Sequence, residues 1–204
     1  MSYFLSLDFI GTFFALLSTL LFVQMNNNAW LTGIMSACIN AWLYWKKGIY
    51  ADVGLEMFYL ISFFYGWFLW SHDDCISKKH AQGELSSTQW LFVLFITIMN
   101  YEIIVTLLET FTDSTVAKMD AITVSLSLTA QWLMNYKIIT TWVVWFIVDA
   151  LCISLYMKKN LPFHTGLMLV YLGMAIAGYL SWAKKNKLSN THQKIIEETV
   201  GKVI

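Results

Sequence analysis

Long apolar runs recur along this chain of 204 residues, and they constrain its fold more than any other feature. Each run has about 17 to 23 residues, enough for an α-helix to cross roughly 30 Å of hydrocarbon. The runs are continuous rather than alternating, which favours helices over a membrane β-barrel. We therefore predict an all-α membrane protein with seven transmembrane helices. The predicted spans are 3–25, 28–45, 49–70, 88–110, 119–136, 139–157 and 161–182.

The composition supports this fold class. Hydrophobic residues make up 58% of the chain and charged residues 13%, whereas a soluble domain carries about a quarter charged residues. The start, MSYFLSLDF, lacks the basic region and cleavage site of a signal peptide, so the first run is expected to remain as a helix. Basic charge is carried entirely by lysine, and nucleic acid is therefore not an expected partner.

The chain also contains an internal repeat. Residues 30–70 align without a gap with residues 142–182, 112 positions later, and tryptophans, glycines and a Lys-Lys pair stay in phase. This predicts two homologous halves of three helices, with the fourth span between them. A single linking helix makes both halves enter the membrane from the same side, so the repeats are predicted to be parallel. Transporters of that plan hold their substrate between the repeats near the membrane midplane.

The repeat divides the chain into five predicted parts. The distribution of lysines between the loops favours a cytoplasmic C-terminus. The parts are a first three-helix repeat over 1–70, a polar loop over 71–87, a linker helix over 88–110, a second repeat over 111–182 and a tail over 183–204.

Polar side chains inside the predicted spans are candidate ligand contacts, because they are costly in a bilayer. Gln131 and Asn135 are four residues apart and share a helix face. Trp142, Trp145 and Asp149 likewise share one face of the next span. Aromatic walls beside amide and carboxylate groups suit a planar, cationic heteroaromatic ligand. The alternative is that Trp142 anchors at the membrane interface and Asp149 bonds a neighbouring helix.

The first half adds three candidates. Glu56 lies well inside the third span with Tyr59 one turn on, and a ligand contact there competes with a helix–helix hydrogen bond. Asn40 falls on Cys152 in the repeat, so symmetry does not demand it. The complete predicted substrate-binding set is Asn40, Glu56, Tyr59, Gln131, Asn135, Trp142, Trp145 and Asp149.

Two structural predictions concern the ends of the spans and the repeated glycines. Trp70 and Trp182 lie near span ends, where an aromatic belt at the membrane interface would explain them. Four glycines recur at matching places in the two halves, which favours close helix packing over a hinge. They are Gly54, Gly66, Gly166 and Gly178.

Catalytic motifs are missing from the sequence. It has no Walker A loop, no GxSxG and no HExxH, so we predict that the protein is not an enzyme and has no cofactor. The HDDC stretch, His72 to Cys75, could hold a metal ion. No second ligand cluster stands nearby in sequence, and a solvated loop without metal is the prediction.

Two runs, AQWLMNYKIITTWVVWFIVDALCISLYMKK and KKGIYADVGLEMFYLISFFYGWFLW, resemble the signature segments of the PnuC-type bacterial vitamin transporters. The resemblance covers nearly all of residues 8–182. It implies a three-plus-one-plus-three arrangement of helices, similar to a full-length SWEET sugar transporter. It further implies an inner-membrane protein with its N-terminus outside and its C-terminus in the cytoplasm. Facilitated diffusion of an unphosphorylated vitamin, trapping by a cytoplasmic kinase and a homotrimeric assembly are also implied.

The cargo is open between family members. The best-known members carry nicotinamide riboside and commonly read Glu-Asn-Trp where this chain reads Thr140, Thr141, Trp142. That departure, and an acid at Glu56 where many relatives have an amide, favours thiamine over nicotinamide riboside, with riboflavin third. The aminopyrimidine of thiamine could pair with Glu56 while its cationic ring lies against Trp142 or Trp145. A substrate-binding subunit of an energised transporter is the alternative.

Overall fold

The computed structural model describes residues 2–47, 50–72, 85–111, 117–158 and 162–200. Within these residues lie seven helices: α1 (Ser2–Val23), α2 (Asn28–Lys47), α3 (Tyr50–Ser71), α4 (Ser87–Phe111), α5 (Ala117–Asn135), α6 (Thr141–Lys158) and α7 (Pro162–Val200). They match the predicted spans except at the last end, where α7 continues into the tail as one helix. Most of the polar loop, including the last three residues of the HDDC stretch, lies outside the described residues, and the boundaries of the five parts stay a prediction.

Four helical stretches of the described chain are long and apolar enough to cross a membrane by length and composition. The α1 stretch Leu7–Val23 is apolar but shorter. In α5, hydroxyl groups lower the mean hydropathy, but they bond to the helix backbone, as Ser127 does to the Thr123 carbonyl at 2.8 Å. The four stretches are Val53–Ser71, Ser87–Phe111, Thr141–Lys158 and His164–Leu188.

Six of the helices form a closed ring in the order α1, α2, α3, α5, α6, α7 and back to α1. Within the described chain, α4 stands outside this ring and packs against α5. The contact includes a hydrogen bond between the hydroxyl groups of Thr97 and Thr129, with a length of 2.7 Å. The two halves therefore meet at two places only in this ring, where α7 contacts α1 and where α3 contacts α5.

The repeat predicted from the sequence extends to backbone geometry in the turns. Met25 lies in the turn after α1 and Lys137 lies in the turn after α5, and both have φ of 55°. A left-handed conformation is uncommon for residues other than glycine, although helices often end with one such residue. Each amide bonds the carbonyl three residues earlier: Met25 to Phe22 at 2.9 Å and Lys137 to Met134 at 3.1 Å. The two halves therefore leave their first helix by the same turn.

Two glycines are in the same tight contact in the two halves. A Cβ atom added to Gly66 would overlap the buried ring of Trp30, and one added to Gly178 would overlap the buried ring of Trp142. The indole faces thus lie directly on the backbone of α3 and α7. This agrees with the packing prediction for these two glycines.

The same prediction is wrong for Gly54 and Gly166. Both are exposed near the beginning of their helices, and nothing lies within 4 Å of an added Cβ atom. The repeat preserves these glycines without any close contact in the structure, and nothing in the structure explains them.

The belt prediction is wrong for Trp70 and Trp182. Trp182 is fully buried, and its indole N–H donates to the carbonyl of Phe22 at 2.9 Å. Trp70 is also buried, and its N–H donates to the carbonyl of Asn135 at 3.1 Å. Carbonyls in the last turn of a helix lack intrahelical partners, so they are available acceptors for a buried indole. Each tryptophan thus joins the third helix of one half to the first helix of the other.

These side chains form one continuous aromatic layer across the ring, which we call the tryptophan layer. Trp30 meets Trp70 edge to face at 5.2 Å between ring centroids, and Trp142 meets Trp182 in the same way at 5.5 Å. Trp70 and Trp182 lie 6.1 Å apart and join the two pairs. Because equivalent residues of both halves meet in one layer, the halves run through the membrane in the same direction, as predicted.

Replacing Gly178 with alanine should destabilise the fold, because the indole beneath it is held in the tryptophan layer and has no room to withdraw. Overpacking of this kind costs about 1 to 3 kcal/mol. Gly173 on the same helix is the matched control, since an added Cβ atom there meets nothing within 4 Å. Thermal unfolding in detergent should show a lower melting temperature for Gly178→Ala and no loss for Gly173→Ala. Equal melting of both variants would contradict the contact.

Candidate functional site

The ring of helices encloses a cavity of about 330 Å³. All six ring helices contribute to its lining, and none of the described residues of α4 does. Phe22, Met134 and Trp142 line the cavity and belong to the core cluster around the tryptophan layer, which therefore bounds one end of the space. The cavity lies where the repeat architecture predicts a substrate, between the two halves.

The cavity is symmetric in position but not in chemistry. Most lining residues fall into pairs separated by 112 positions, as Tyr59 and Tyr171 do. Among the described lining residues only that pair keeps its identity. Ala37 pairs with Asp149, Glu56 with Met168 and Thr19 with Gln131, so each half supplies one acid that the other half lacks. A ligand in this cavity therefore meets two different walls.

Seven of the eight predicted residues are brought together by the structure. Their role in binding stays a prediction, but their common location is a finding. The cavity is lined by Asn40, Glu56, Tyr59, Gln131, Trp142, Trp145 and Asp149.

Asn135 does not line the cavity. Its side-chain amide donates to the Ser62 hydroxyl at 3.1 Å, and its backbone carbonyl accepts from the indole N–H of Trp70. Asn135 therefore joins α5 to α3. It shares a helix face with Gln131, but it lies about 6 Å further along the axis. At that depth the space between the halves is filled by the tryptophan layer, which explains why a shared face did not mean a shared site.

Asp149 is the most exceptional group in the cavity wall. It lies in the middle of α6 and is only 6% exposed. No hydrogen bond or ion pair reaches its carboxylate within the described chain. Tyr171 on α7 lies close enough to interact electrostatically with both Asp149 and Glu56. Because buried charges in proteins are normally paired, an acid in this setting is able to pair with a positively charged group in the cavity.

Gln131 supplies an unused hydrogen-bond donor. It is 4% exposed, and its side-chain nitrogen has no acceptor. Thr19, its repeat equivalent, bonds its own helix through the carbonyl of Ala15 at 3.0 Å. The unpartnered amide is therefore specific to the second half, and buried polar groups of this kind usually meet a partner.

The indole N–H of Trp142 is also without an acceptor, but it is weaker evidence for a ligand contact than the side-chain nitrogen of Gln131. The equivalent N–H of Trp30 is unpartnered too, although Trp30 does not line the cavity. Trp142 is 2% exposed and packed on Gly178, so much of its ring belongs to the tryptophan layer. Trp145 is only partly buried at the cavity wall, and its equivalent in the first half is Gly33. A flat ligand would meet the face of Trp145 more readily.

Thr141 does not face the cavity. It is fully buried, and its hydroxyl donates to the Ala130 carbonyl at 2.7 Å. In the first half the equivalents of Thr141 and Ala130 are Ala29 and Ser18. There the hydroxyl belongs to Ser18, which donates to the Ala29 carbonyl at 2.8 Å. Of the two threonines that differ from the usual family sequence, Thr140 and Thr141, the second therefore forms a hydrogen bond between helices. Thr141 thus gives no information about the cargo.

Sequence reasoning missed Tyr171 as a site residue. The repeat alignment places it on Tyr59, which was predicted, so the signal was available. Ser127 on α5 lies beside the Tyr59 hydroxyl of α3, and both residues line the cavity. Ser127 carried no signal of its own, because serine in a span usually bonds its own helix.

Comparison with known proteins gives a consistent family. Residues 5–184 match the family described as Nicotinamide mononucleotide transporter. The chain is 27% identical over 167 residues to the Nicotinamide riboside transporter PnuC of Neisseria mucosa, a match that covers 76% of this chain and 63% of that protein. The chain thus spans less than two thirds of the length of this relative.

A solved structure supports the fold. The crystal structure of the vitamin B3 transporter PnuC is similar with a TM-score of 0.68 and 24% sequence identity, over 89% of this chain and 82% of that chain. A ring of membrane helices around a cavity between two halves defines a multi-pass membrane protein with a transporter fold. More particularly, the chain belongs to the nicotinamide mononucleotide transporter family, in which the PnuC proteins lie. The predicted family and fold class are confirmed, and these relatives are transporters rather than enzymes.

The cavity should be accessible to small water-soluble reagents. Cys152 lines the cavity, so labelling of its thiol measures this access. In a variant with Cys152 as its sole cysteine, a small cationic methanethiosulfonate should modify the thiol. A variant with only Cys38 is the matched control, because Cys38 lies on the outer surface of α2 and should be covered by lipid. Mass spectrometry of the labelled proteins in liposomes measures both. Labelling of Cys38 in preference to Cys152 would contradict this location of the cavity.

Proposed function

We propose that this protein carries a cationic, unphosphorylated vitamin across the membrane, with nicotinamide riboside as the first candidate. Family membership and the name of the Neisseria relative support the proposal. The family description names the mononucleotide and the relative's name gives the riboside, which differ by a phosphate group. The charge of the cavity bears on that choice.

The observation that carries the proposal is the pair of carboxylates in the cavity wall. Glu56 and Asp149 both line the space, and none of its described lining residues is lysine, arginine or histidine. A phosphate group would enter beside two acids with no basic side chain to hold it, at a cost in desolvation and repulsion. A pyridinium cation without phosphate has the complementary charge. The cavity therefore favours the riboside over the mononucleotide.

The remaining wall suits the same ligand. The positive nicotinamide ring can lie against the face of Trp145, an interaction worth about 2 kcal/mol when desolvated. Its carboxamide oxygen can accept the unused N–H of Gln131, and Asp149 offsets the ring charge. The cavity volume of about 330 Å³ lies within the range of small-molecule sites.

Thiamine, the cargo favoured by the sequence, is not supported by the comparisons, because the family and the similar proteins are named for nicotinamide compounds and vitamin B3. The argument from Thr141 also loses its basis, since that hydroxyl bonds a helix backbone. One observation keeps thiamine as the second candidate. Glu56 lines the cavity, where it could bond an aminopyrimidine.

The remaining features are proposed on the family resemblance. They are facilitated diffusion, trapping by a cytoplasmic vitamin kinase, a homotrimer and an inner-membrane location with a cytoplasmic C-terminus. Lys137 lies 4.7 Å above the ring of Trp70, in the turn at the tryptophan-layer end, and burial lowers the pKa of its ammonium group. Lys185 on α7 bonds the carbonyl of Gln24 at the same end. Lysines there support placing that end in the cytoplasm.

Purified protein should bind nicotinamide riboside in calorimetry, and should bind the mononucleotide at least tenfold more weakly because its phosphate meets two acids. Gln131→Leu should weaken riboside binding about tenfold, or about 1.4 kcal/mol, by removing the donor. Gln89→Leu is the matched control, since Gln89 caps the start of α4 outside the cavity. Unchanged binding in Gln131→Leu would contradict the assigned site. Binding of thiamine without the riboside would select the second candidate.

Transport itself is tested in proteoliposomes that contain only this protein. Uptake of labelled nicotinamide riboside down its gradient, without nucleotide, is expected. Binding without uptake would instead indicate a substrate-binding subunit that needs a partner. Empty liposomes and liposomes with Gln131→Leu serve as controls.

A further inference from the structure

The cavity wall changes in character with distance from the tryptophan layer. An α-helix rises about 1.5 Å per residue, which gives the depth of each lining residue relative to that layer. Counted from Trp142 on α6, Trp145 lies about 5 Å and Asp149 about 11 Å away along the axis. Counted from Asn135 on α5, which bonds the layer, Gln131 lies about 6 Å away. The aromatic wall and the unused amide of Gln131 therefore share the end next to the layer.

A second group of polar side chains lies at the opposite end of the cavity. Asn40 on α2 is ten residues from Trp30, and Glu56 on α3 is ten residues from Gly66, on which Trp30 packs. Both side chains are therefore about 15 Å from the tryptophan layer. The helices α2 and α3 are neighbours in the ring, and both side chains line the cavity. The first half thus places an amide and a carboxyl group at the same depth.

Asn40 is positioned by a contact with α1. Its side-chain oxygen lies against the backbone of Gly11, where an added Cβ atom would overlap it. The Ser36 hydroxyl donates to the Gly11 carbonyl at 2.9 Å and accepts from the Asn40 amide at 3.5 Å. This long hydrogen bond uses one of the two N–H donors of the amide, and the other is available to a ligand in the cavity.

The second half does not repeat this arrangement. The positions equivalent to Gly11, Ser36 and Asn40 carry Thr123, Val148 and Cys152. The Thr123 hydroxyl donates to the carbonyl of Asp120 in its own helix at 2.9 Å, and neither valine nor cysteine offers an amide. The amide at this depth is therefore specific to the first half, as the amide of Gln131 is to the second.

We propose that Asn40 and Glu56 form a subsite for the ribose of the ligand. A hydroxyl group is both donor and acceptor, so it can accept from the Asn40 amide and donate to the carboxyl oxygens of Glu56. A vicinal diol suits this pair, because it offers two hydroxyl groups side by side. The inference rests on the proposed function, which supplies a nicotinamide ring joined to a sugar.

The subsite fixes the direction in which the ligand lies. The carboxamide bonds Gln131 and the ring lies against Trp145, next to the tryptophan layer. The charged ring nitrogen, which carries the sugar, then lies toward Asp149, and the ribose reaches the far end. The parts of the ligand thus follow the same order as the groups of the wall. The reverse direction would place the sugar hydroxyls against apolar side chains of the layer end, such as Phe22 and Met134.

Two ligands with the same cationic ring separate this subsite from the rest of the cavity. Nicotinamide riboside carries the sugar, whereas 1-methylnicotinamide carries a methyl group in its place. Wild-type protein should bind the riboside at least about tenfold more tightly, since each hydrogen bond to the sugar adds about 0.5 to 1.5 kcal/mol. Direct calorimetry measures the riboside, and displacement calorimetry measures the weaker ligand.

Two cavity variants should affect these ligands differently. Asn40→Cys gives the first half the residue that the second half has at the equivalent position. It should weaken riboside binding by about tenfold and leave 1-methylnicotinamide within about twofold of its wild-type affinity. Gln131→Leu should weaken both ligands by similar factors, because both carry the carboxamide.

Gly11 tests the contact that positions Asn40. Gly11→Ala should displace the Asn40 side chain and repeat the loss that is selective for the riboside, although Gly11 is not among the described residues of the cavity lining. Gly173→Ala is the matched control, since its added Cβ atom meets nothing within 4 Å, and both affinities should stay at the wild-type value. Melting temperatures in detergent show whether each variant folds.

The possible failures are distinguishable. Equal weakening of both ligands by Asn40→Cys, or unchanged riboside binding in that variant, would overturn the subsite and leave the proposed carrier intact. Wild-type protein that binds 1-methylnicotinamide as tightly as the riboside would overturn the subsite without any variant. If the riboside does not bind wild-type protein at all, the first candidate cargo fails and the ribose subsite fails with it.

Discussion

Two indole hydrogen bonds close the ring of helices on which the cavity depends. Trp182 bonds the end of α1 and Trp70 bonds the end of α5, and these are the two places where the halves of the ring meet. In a bilayer, apolar contacts between helices gain little over contacts with lipid, so hydrogen bonds and close packing have to hold helices together. Both are present here, because glycines beneath Trp30 and Trp142 let the rings lie on the helix backbones.

The repeat separates architecture from selectivity. The turn after the first helix keeps its backbone geometry in the two halves, and Trp30, Gly66 and Trp70 keep both position and identity in Trp142, Gly178 and Trp182. These features build the ring. The cavity keeps the positions but changes the side chains, so that Asp149 stands where the first half has Ala37, and Met168 where it has Glu56. A small ligand is asymmetric, and a symmetric pair of walls could not orient it. The residues that break the symmetry are therefore the ones that select and orient the ligand in the proposed function.

Charge connects the cavity to its proposed cargo. A buried acid without a protein partner is unfavourable in a membrane, and the second half nevertheless places one at the centre of α6. In the proposed function, a cationic ligand offsets this cost when it binds.

The sequence by itself determined the helices, their repeat and seven residues of the cavity wall. Apolar length decides which segments enter a bilayer, and polar residues such as Gln131 and Asp149 are too costly there to face lipid. Only the tertiary structure decided depth and partnership. It showed that Asn135, although on the face of Gln131, lies in the tryptophan layer, and that Trp70 and Trp182 bond across the halves rather than at the interface. Periodicity gives the direction in which a side chain points from its own helix, whereas contacts depend on how far neighbouring helices slide and how closely they approach.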